Sequence, residues 1–229
     1  MKDYSVLERN LGYSFQDKKL LTHALTHSSY ASEHDLAYSE NNERLEFIGD
    51  AYLDAIIGNK LYEVMPNQPE GVLSKTRANI VCERSLATIA RNIGLGDFLF
   101  LGNGEEMYGG REKDSILADA VEAIIGAIIR ESGYDCADRV VLKLFEENIL
   151  LALQGKLYHD YKTALQEKLQ ERYKNVRIQY ESVSESGPDH RKVFTVQVKA
   201  DDAVLATGSG HSKKAAEQEA ARKVLMKGV

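Results

Sequence analysis

Two runs of carboxylates stand out by their spacing. In Asn42-Glu43-Arg44-Leu45-Glu46-Phe47-Ile48-Gly49-Asp50-Ala51-Tyr52-Leu53-Asp54, the acids Glu43, Glu46, Asp50 and Asp54 recur every three or four residues. On a helix, at about 100° per residue, they share one face, while Leu45, Ile48, Tyr52, Ala55 and Ile56 are expected on the other. Like charges at that spacing cost a helix roughly 0.2–0.5 kcal/mol per pair. A solvated acidic face would explain this helix if it stood alone. The second run is Asp119 and Glu122, in a stretch from Ser115 to Arg130 that is otherwise apolar through Ile116, Leu117, Ala120, Val121, Ile124, Ile125 and Ile128. So apolar a helix belongs in a core, where unpaired carboxylates are expensive. Carboxylates on two such helices raise one another's pKa unless a cation lies between them. All-oxygen ligation suits a hard divalent ion, Mg²⁺ first and Mn²⁺ as its substitute.

These residues also carry a resemblance. Asn42-Glu43-Arg44-Leu45-Glu46-Phe47-Ile48-Gly49-Asp50 resembles the signature stretch of ribonuclease III, the double-strand-specific endoribonuclease. Asp119-Ala120-Val121-Glu122-Ala123-Ile124-Ile125-Gly126 resembles that family's second catalytic segment. Ile48 is the one departure in the first stretch, where the family usually has Leu, a tolerable swap. The segment Leu21 to Tyr30 is similar to the family's N-terminal helix region.

The resemblance implies a Mg²⁺-dependent homodimer that cleaves double-stranded RNA, leaving 5′-phosphate and 3′-hydroxyl ends with short 3′ overhangs, in the processing of rRNA and mRNA precursors. It implies Glu46, Asp119 and Glu122 as Mg²⁺ ligands, and Asp50 as the group that orients the attacking water, so that Asp50 and Glu122 are catalytic. Glu43 and Glu70 would be supporting acids, and Phe47 would pack across the dimer interface. A double-stranded RNA-binding protein with an inactive nuclease domain is the alternative, but it would lack one of these four carboxylates, and all four are present. A ferritin-like bundle would want Glu-x-x-His pairs on its inward helices.

The elements that must position these groups follow from the rest of the chain. Its 229 residues suffice for one large domain or two modest ones, with no Trp and only 3 Pro. Short helices are expected over Tyr4–Leu11 and Lys18–Thr26. A polar loop from Ala31 to Asn41 should lead into the first acidic helix, which ends before Pro66. A helical pair (Leu73–Asn79 and Cys82–Ile93) should stop at Gly94. A glycine-rich loop, 94–110, lacks the Lys-Ser/Thr ending of a nucleotide-cradling loop, so no nucleotide cofactor is expected. A last helix is expected over Tyr134–Leu153, making residues 1–153 all-α. His23 and His27 are four apart, but no third ligand follows, and packing or capping roles fit them better. Cys82 and Cys136 lie far apart and read as free thiols in a reducing compartment. The N-terminal stretch has no apolar signal region and no apolar run approaches about 18 residues, so no membrane segment and a cytoplasmic location are expected.

The pattern changes after residue 153. Residues 154–159 read as a linker, and 160–229 as a helix opened by Asp160, three alternating strands (Val176–Ser184, Val193–Ala200, Ala203–Ser209) and a closing helix. The net charge of −6 is uneven: from Asp160 onward thirteen Lys and Arg face ten Asp and Glu, so the acidic excess lies in the first part. The order α-β-β-β-α resembles a double-stranded RNA-binding domain, an α+β fold, through Tyr161-Lys162-Thr163-Ala164-Leu165-Gln166-Glu167, Gly187-Pro188-Asp189-His190 and Gly208 to Glu217. Lys213 and Lys214 open the closing helix, where lysine opposes the helix dipole unless an anion docks there. Thr163 and Gln166 share a helix face that can meet 2′-hydroxyls in a shallow minor groove, and His190 can reach the next groove.

Overall fold

The computed structural model describes residues 3–155, 157, 161–187, 192–201 and 203–227, in two units, Met1–Leu157 and Tyr158–Val229. The first is helical. Its short leading helices are α1 (Ser5–Leu11), α2 (Lys18–Ala24) and α3 (Ser28–Glu33), followed by the long α4 (Glu43–Val64). Then come α5 (Glu70–Ile80), α6 (Glu83–Asn92), α7 (Asn103–Met107), α8 (Asp114–Ser132), α9 (Tyr134–Leu144) and α10 (Glu146–Leu153). None of the described helices is long and apolar enough to cross a membrane.

The centre of this unit is α8. Ile116, Leu117, Ala120, Val121, Ile124, Ile125 and Ile128 are buried, and so are Ala118, Ala123 and Ala127 on its other sides. A helix apolar all round has to be surrounded, and α2, α4, α6 and α9 all pack on it. The most extensive of these contacts is with α4, and two glycines make it possible. A Cβ built on Gly49 would lie 1.8 Å from the Glu122 carbonyl oxygen, and one on Gly126 would lie 2.0 Å from that of Leu45. The two backbones therefore touch where they cross, with no room for any side chain.

That crossing corrects the expected face of α4. Leu45, Gly49, Leu53, Ile56, Ile57 and Leu61 are buried, while Ala55 is exposed and Tyr52 remains 38% exposed. The helix turns its glycine inward because that is where α8 comes closest, so the apolar stripe is rotated away from Tyr52 and Ala55.

Three other expectations change. The segment Tyr134–Leu153 is two helices, broken at Phe145, whose ring is fully buried. The break lets Phe145, Ile149 and Asn148 all enter the core, where Asn148 Nδ2 donates to Ser85 Oγ at 2.5 Å. The stretch taken as a polar loop overlaps α3 and a 3₁₀ turn at Tyr38–Glu40. The glycine-rich stretch holds α7 and two 3₁₀ turns, Leu95–Phe98 and Gly110–Glu112. Arg111 fastens that stretch by donating from Nη1 to the Gly96 and Leu99 carbonyls at 2.7 and 3.0 Å. Cys82 and Cys136 are free.

The second unit runs α11 (Tyr161–Arg172), β1 (Ile178–Ser186), β2 (Val193–Ala200), β3 (Ala203–Gly210) and α12 (Lys213–Met226). The strands form an antiparallel sheet in the order β1-β2-β3. Asp201, at φ 51°, makes the sharp turn between β2 and β3. The helices cover one face of the sheet, closing a core of Leu165, Leu169, Val198, Ala206, Ala220, Ala221 and Val224. Strand alternation accounts for the pairing, since Val196 and Val198 point inward two residues apart. Asp160 and the Pro188–His190 part of the first turn lie outside the described residues.

Candidate metal centre and nucleic-acid interface

The Gly49–Gly126 crossing brings the two acidic runs together. Glu46 lies one turn before Gly49 on α4, and Asp119 and Glu122 lie on the facing side of α8. Each of the three can offer a carboxylate oxygen such that all lie within 4.8 Å of one another. All three are half-buried.

Their electrostatics match that crowding. Burial, then Asp50, Glu46, Asp119 and Asp54, push Glu122 up to about 8. Glu46 is raised by burial, then by Asp119, Glu43 and Asp50. Asp119 is raised by burial and by Glu83, while His27 pulls it down. Three hard oxygen donors that repel one another fit a divalent cation, because the ion's charge removes the repulsion that raises them. The donor set holds no Cys or His, which disfavours the softer metals.

Asp50 is exposed one turn further along α4, outside the three-ligand set, with its charge felt at Glu122. Glu43 sits half-buried at the start of α4 and takes a hydrogen bond from the Tyr38 hydroxyl. Glu70 opens α5, exposed, and accepts from Ser74 Oγ at 2.6 Å. It is not among the charges that raise the three ligands. Phe47 projects from α4 with 77% of its surface exposed, an unusual position for so large an apolar ring. His23 and His27 are engaged in local bonds: His23 Nε2 with the Asn41 carbonyl at 2.8 Å, and His27 Nδ1 accepting from the Ser29 amide at 3.2 Å.

Sequence reasoning missed the glycine pair and two neighbours of the cluster. Asp54 adds to the charge on Glu122 and is met by Arg77 of α5 at 3.5 Å. Isolated glycines inside two helical patterns were the available signal, since such a glycine usually has a packing reason. The Asp54–Arg77 pair had none, being made between separate helices.

In the second unit, Thr163 is half-buried and Gln166 exposed, three residues apart on α11. Lys213 and Lys214 are exposed in the first turn of α12, which Ser212 caps by accepting from the Ala215 amide at 3.1 Å. Lys213 also lies 3.4 Å from Glu185 and 6.0 Å from the centre of the Phe194 ring. His190 lies outside the described residues.

Comparison with known proteins accounts for nearly the whole chain. Residues 17–149 match the ribonuclease-III-like family, and residues 161–227 match the double-stranded RNA binding motif. Ribonuclease 3 of Caldanaerobacter subterraneus subsp. tengcongensis is 51% identical over 221 residues, covering 96% of both chains. Ribonuclease 3 of Pelotomaculum thermopropionicum is 46% identical, over 97% of this chain and 92% of its own. Among solved structures, the nuclease domain of ribonuclease III from Campylobacter jejuni is 50% identical with a TM-score of 0.60, covering 65% of this chain and 97% of its own. A second structure of that domain, 49% identical with a TM-score of 0.60, covers 64% of this chain and 98% of its own, and is described for flexibility in a region involved in dimer formation.

Proposed function

Because this chain belongs to the ribonuclease III family and is an endoribonuclease for double-stranded RNA, we propose that it acts as a Mg²⁺-dependent homodimer, with Glu46, Asp119 and Glu122 as the ligands of the ion. The observation that carries this reading is the meeting of three carboxylate oxygens from α4 and α8 within 4.8 Å. Mn²⁺ would substitute, because the same oxygen donors suit it. When bound, the ion lowers the pKa of a water and stabilises negative charge building on the phosphate.

The chain's own residues do the rest. The glycine crossing holds the two ligand helices at one separation, so the site is set before substrate arrives. Asp50, exposed beside the ligands, accepts a hydrogen bond from the attacking water and turns its lone pair toward the phosphorus. Glu43 and Glu70 are supporting acids at the margin of this site. Lys213 and Lys214 hold backbone phosphates, while Thr163 and Gln166 of α11, with His190, meet minor grooves. This division reads the shape of A-form RNA with little base sequence. Phe47 is the aromatic that packs between protomers, which would remove its exposed ring from water. We further propose products with 5′-phosphate and 3′-hydroxyl ends and short 3′ overhangs, and a cytoplasmic role in processing rRNA and mRNA precursors. These follow from kinship with the ribonuclease 3 proteins.

The test pairs Glu122→Ala with wild type on a long RNA duplex, in Mg²⁺ and in EDTA. Wild type should cut only with the metal, and the variant should bind the duplex nearly as well without cutting it. Equal loss of binding and cutting in the variant would show that the carboxylate site also carries the affinity, against this division of labour.

A further inference from the structure

His27 stands at the junction where the end of α2, the start of α4 and α8 meet. The Thr26 carbonyl beside it accepts from the Asn42 amide at 2.8 Å, and the Asn42 carbonyl accepts from Glu46 at 2.9 Å. The His27 backbone is tied at both ends: its amide donates to the Phe100 carbonyl at 3.0 Å, and its carbonyl accepts from Tyr30 and Ala31. The ring is held too. Nδ1 accepts from the Ser29 amide at 3.2 Å and lies 2.8 Å from Ser29 Oγ, which is itself pinned by the Gly102 amide at 2.9 Å.

An acceptor at Nδ1 leaves the proton on Nε2, since the bond at one ring nitrogen decides the state of the other. As an N-cap alone, His27 would need only its Nδ1; Asn or Ser would serve better. Its Nε2–H is not used in any hydrogen bond among the described residues, although the ring is half-buried. The group that feels this ring is Asp119, which burial raises and His27 draws back down.

We propose that His27 is a positioning residue for the metal centre, its fixed Nε2–H steadying the Asp119 carboxylate in the orientation that ligates the ion. A donor facing a ligating carboxylate restricts its rotation and favours its charged form, and loss of such an outer partner weakens metal binding by roughly 10–100-fold. The inference rests on the reading of Glu46, Asp119 and Glu122 as the ligands. It assigns His27 no contact with the ion itself.

Two substitutions separate this role from capping. His27→Asn keeps an acceptor where Nδ1 stands and removes the Nε2 donor, whereas His27→Gln keeps a donor near Nε2 and gives up the cap. Mg²⁺ is titrated calorimetrically onto the full-length chain without RNA, alongside melting curves and the Mg²⁺ dependence of cleavage. His27→Asn should bind Mg²⁺ about 10–100-fold more weakly, with its melting temperature kept. Its cleavage midpoint should move to higher Mg²⁺, and kcat should return near wild type at saturation. His27→Gln should melt lower yet bind Mg²⁺ more tightly than His27→Ala.

Wild-type affinity in His27→Asn would reduce His27 to a cap and overturn the proposal. Should His27→Asn also melt early, His27→Gln decides: affinity above that of His27→Ala supports the proposal, and equal affinity overturns it. A wild-type chain that takes up no Mg²⁺, or a Glu122→Ala chain that takes up as much as wild type, would instead sink the ligand assignment beneath it.

Discussion

Gly49→Ala should disable the enzyme through geometry alone, since it alters no charged group. The added Cβ would stand 1.8 Å from the Glu122 carbonyl oxygen and 2.6 Å from its carbon, where ordinary contact begins at 3.4 Å. Both obstacles are backbone, so no side chain can swing aside, and α4 and α8 must part by about 1.6 Å. Overpacking of this kind costs about 1–3 kcal/mol and sometimes more, and the upper end applies to a backbone clash. Alanine's better helix propensity returns about 1 kcal/mol, leaving a net loss of about 2 kcal/mol. At roughly 2–4 °C per kcal/mol for a chain of this size, melting should fall by about 4–8 °C. The catalytic effect should be larger than the thermal one. Misplacing reacting groups by about 1 Å reduces rates on the order of 100-fold, and here the three carboxylates that must share one ion span only 4.8 Å. The assay is cleavage of a long duplex at saturating Mg²⁺, at a temperature where the variant is folded. Gly71→Ala is the control, because a Cβ there meets nothing within 4 Å. Wild-type melting and kcat in Gly49→Ala would refute the claim that this crossing sets the site.

With Glu122 at about 8 in the folded chain, the folded state keeps a proton that the unfolded state releases near its ordinary carboxyl value. Stability without Mg²⁺ should therefore fall as pH rises from about 4.5 through about 8, by at most about 1.4 kcal/mol per pH unit and less after solvent screening. Melting should be lower at pH 8 than at pH 6, Glu122→Gln should flatten the difference, and millimolar Mg²⁺ should raise melting more at pH 8; parallel profiles for the two chains would contradict the assignment. Asp119→Asn combined with Glu122→Gln should raise melting without Mg²⁺ and remove most of the response to it, and a full response in that chain would place the metal elsewhere. Deleting residues 158–229 should leave a nuclease that cuts at low salt and fails near physiological salt, because few cations remain to displace counterions from phosphates; undiminished cutting at physiological salt would overturn the division between the units. Phe47→Asp should shift sedimentation from dimer to monomer while leaving each protomer folded, since the ring is already 77% exposed; an unchanged dimer would remove Phe47 from the interface.

The sequence by itself determined the parts of this protein that are local or repeat at a fixed period. The apolar period marked α8 as a core helix, the alternation at Val196 and Val198 marked a half-buried strand, and Ser212 before Lys213 marked a capped helix start. The chemistry was legible for the same reason: Glu46 and Asp50, or Asp119 and Glu122, meet on one helix face whatever surrounds them. Which face of α4 turned inward was not legible, because Tyr52 and Ala55 fit an apolar stripe as well as Gly49 and Leu53 do. The partner helix decided it, through the close approach that only Gly49 and Gly126 allow. The break at Phe145 was likewise hidden, since its residues favour helix and only a buried site for the ring bends the chain there. The same holds at the site itself: periodicity assigns each carboxylate to a helix, but the 4.8 Å that makes three of them one set of ligands is a distance between helices. Such distances depend on packing between residues far apart in the chain, which spacing along it does not encode.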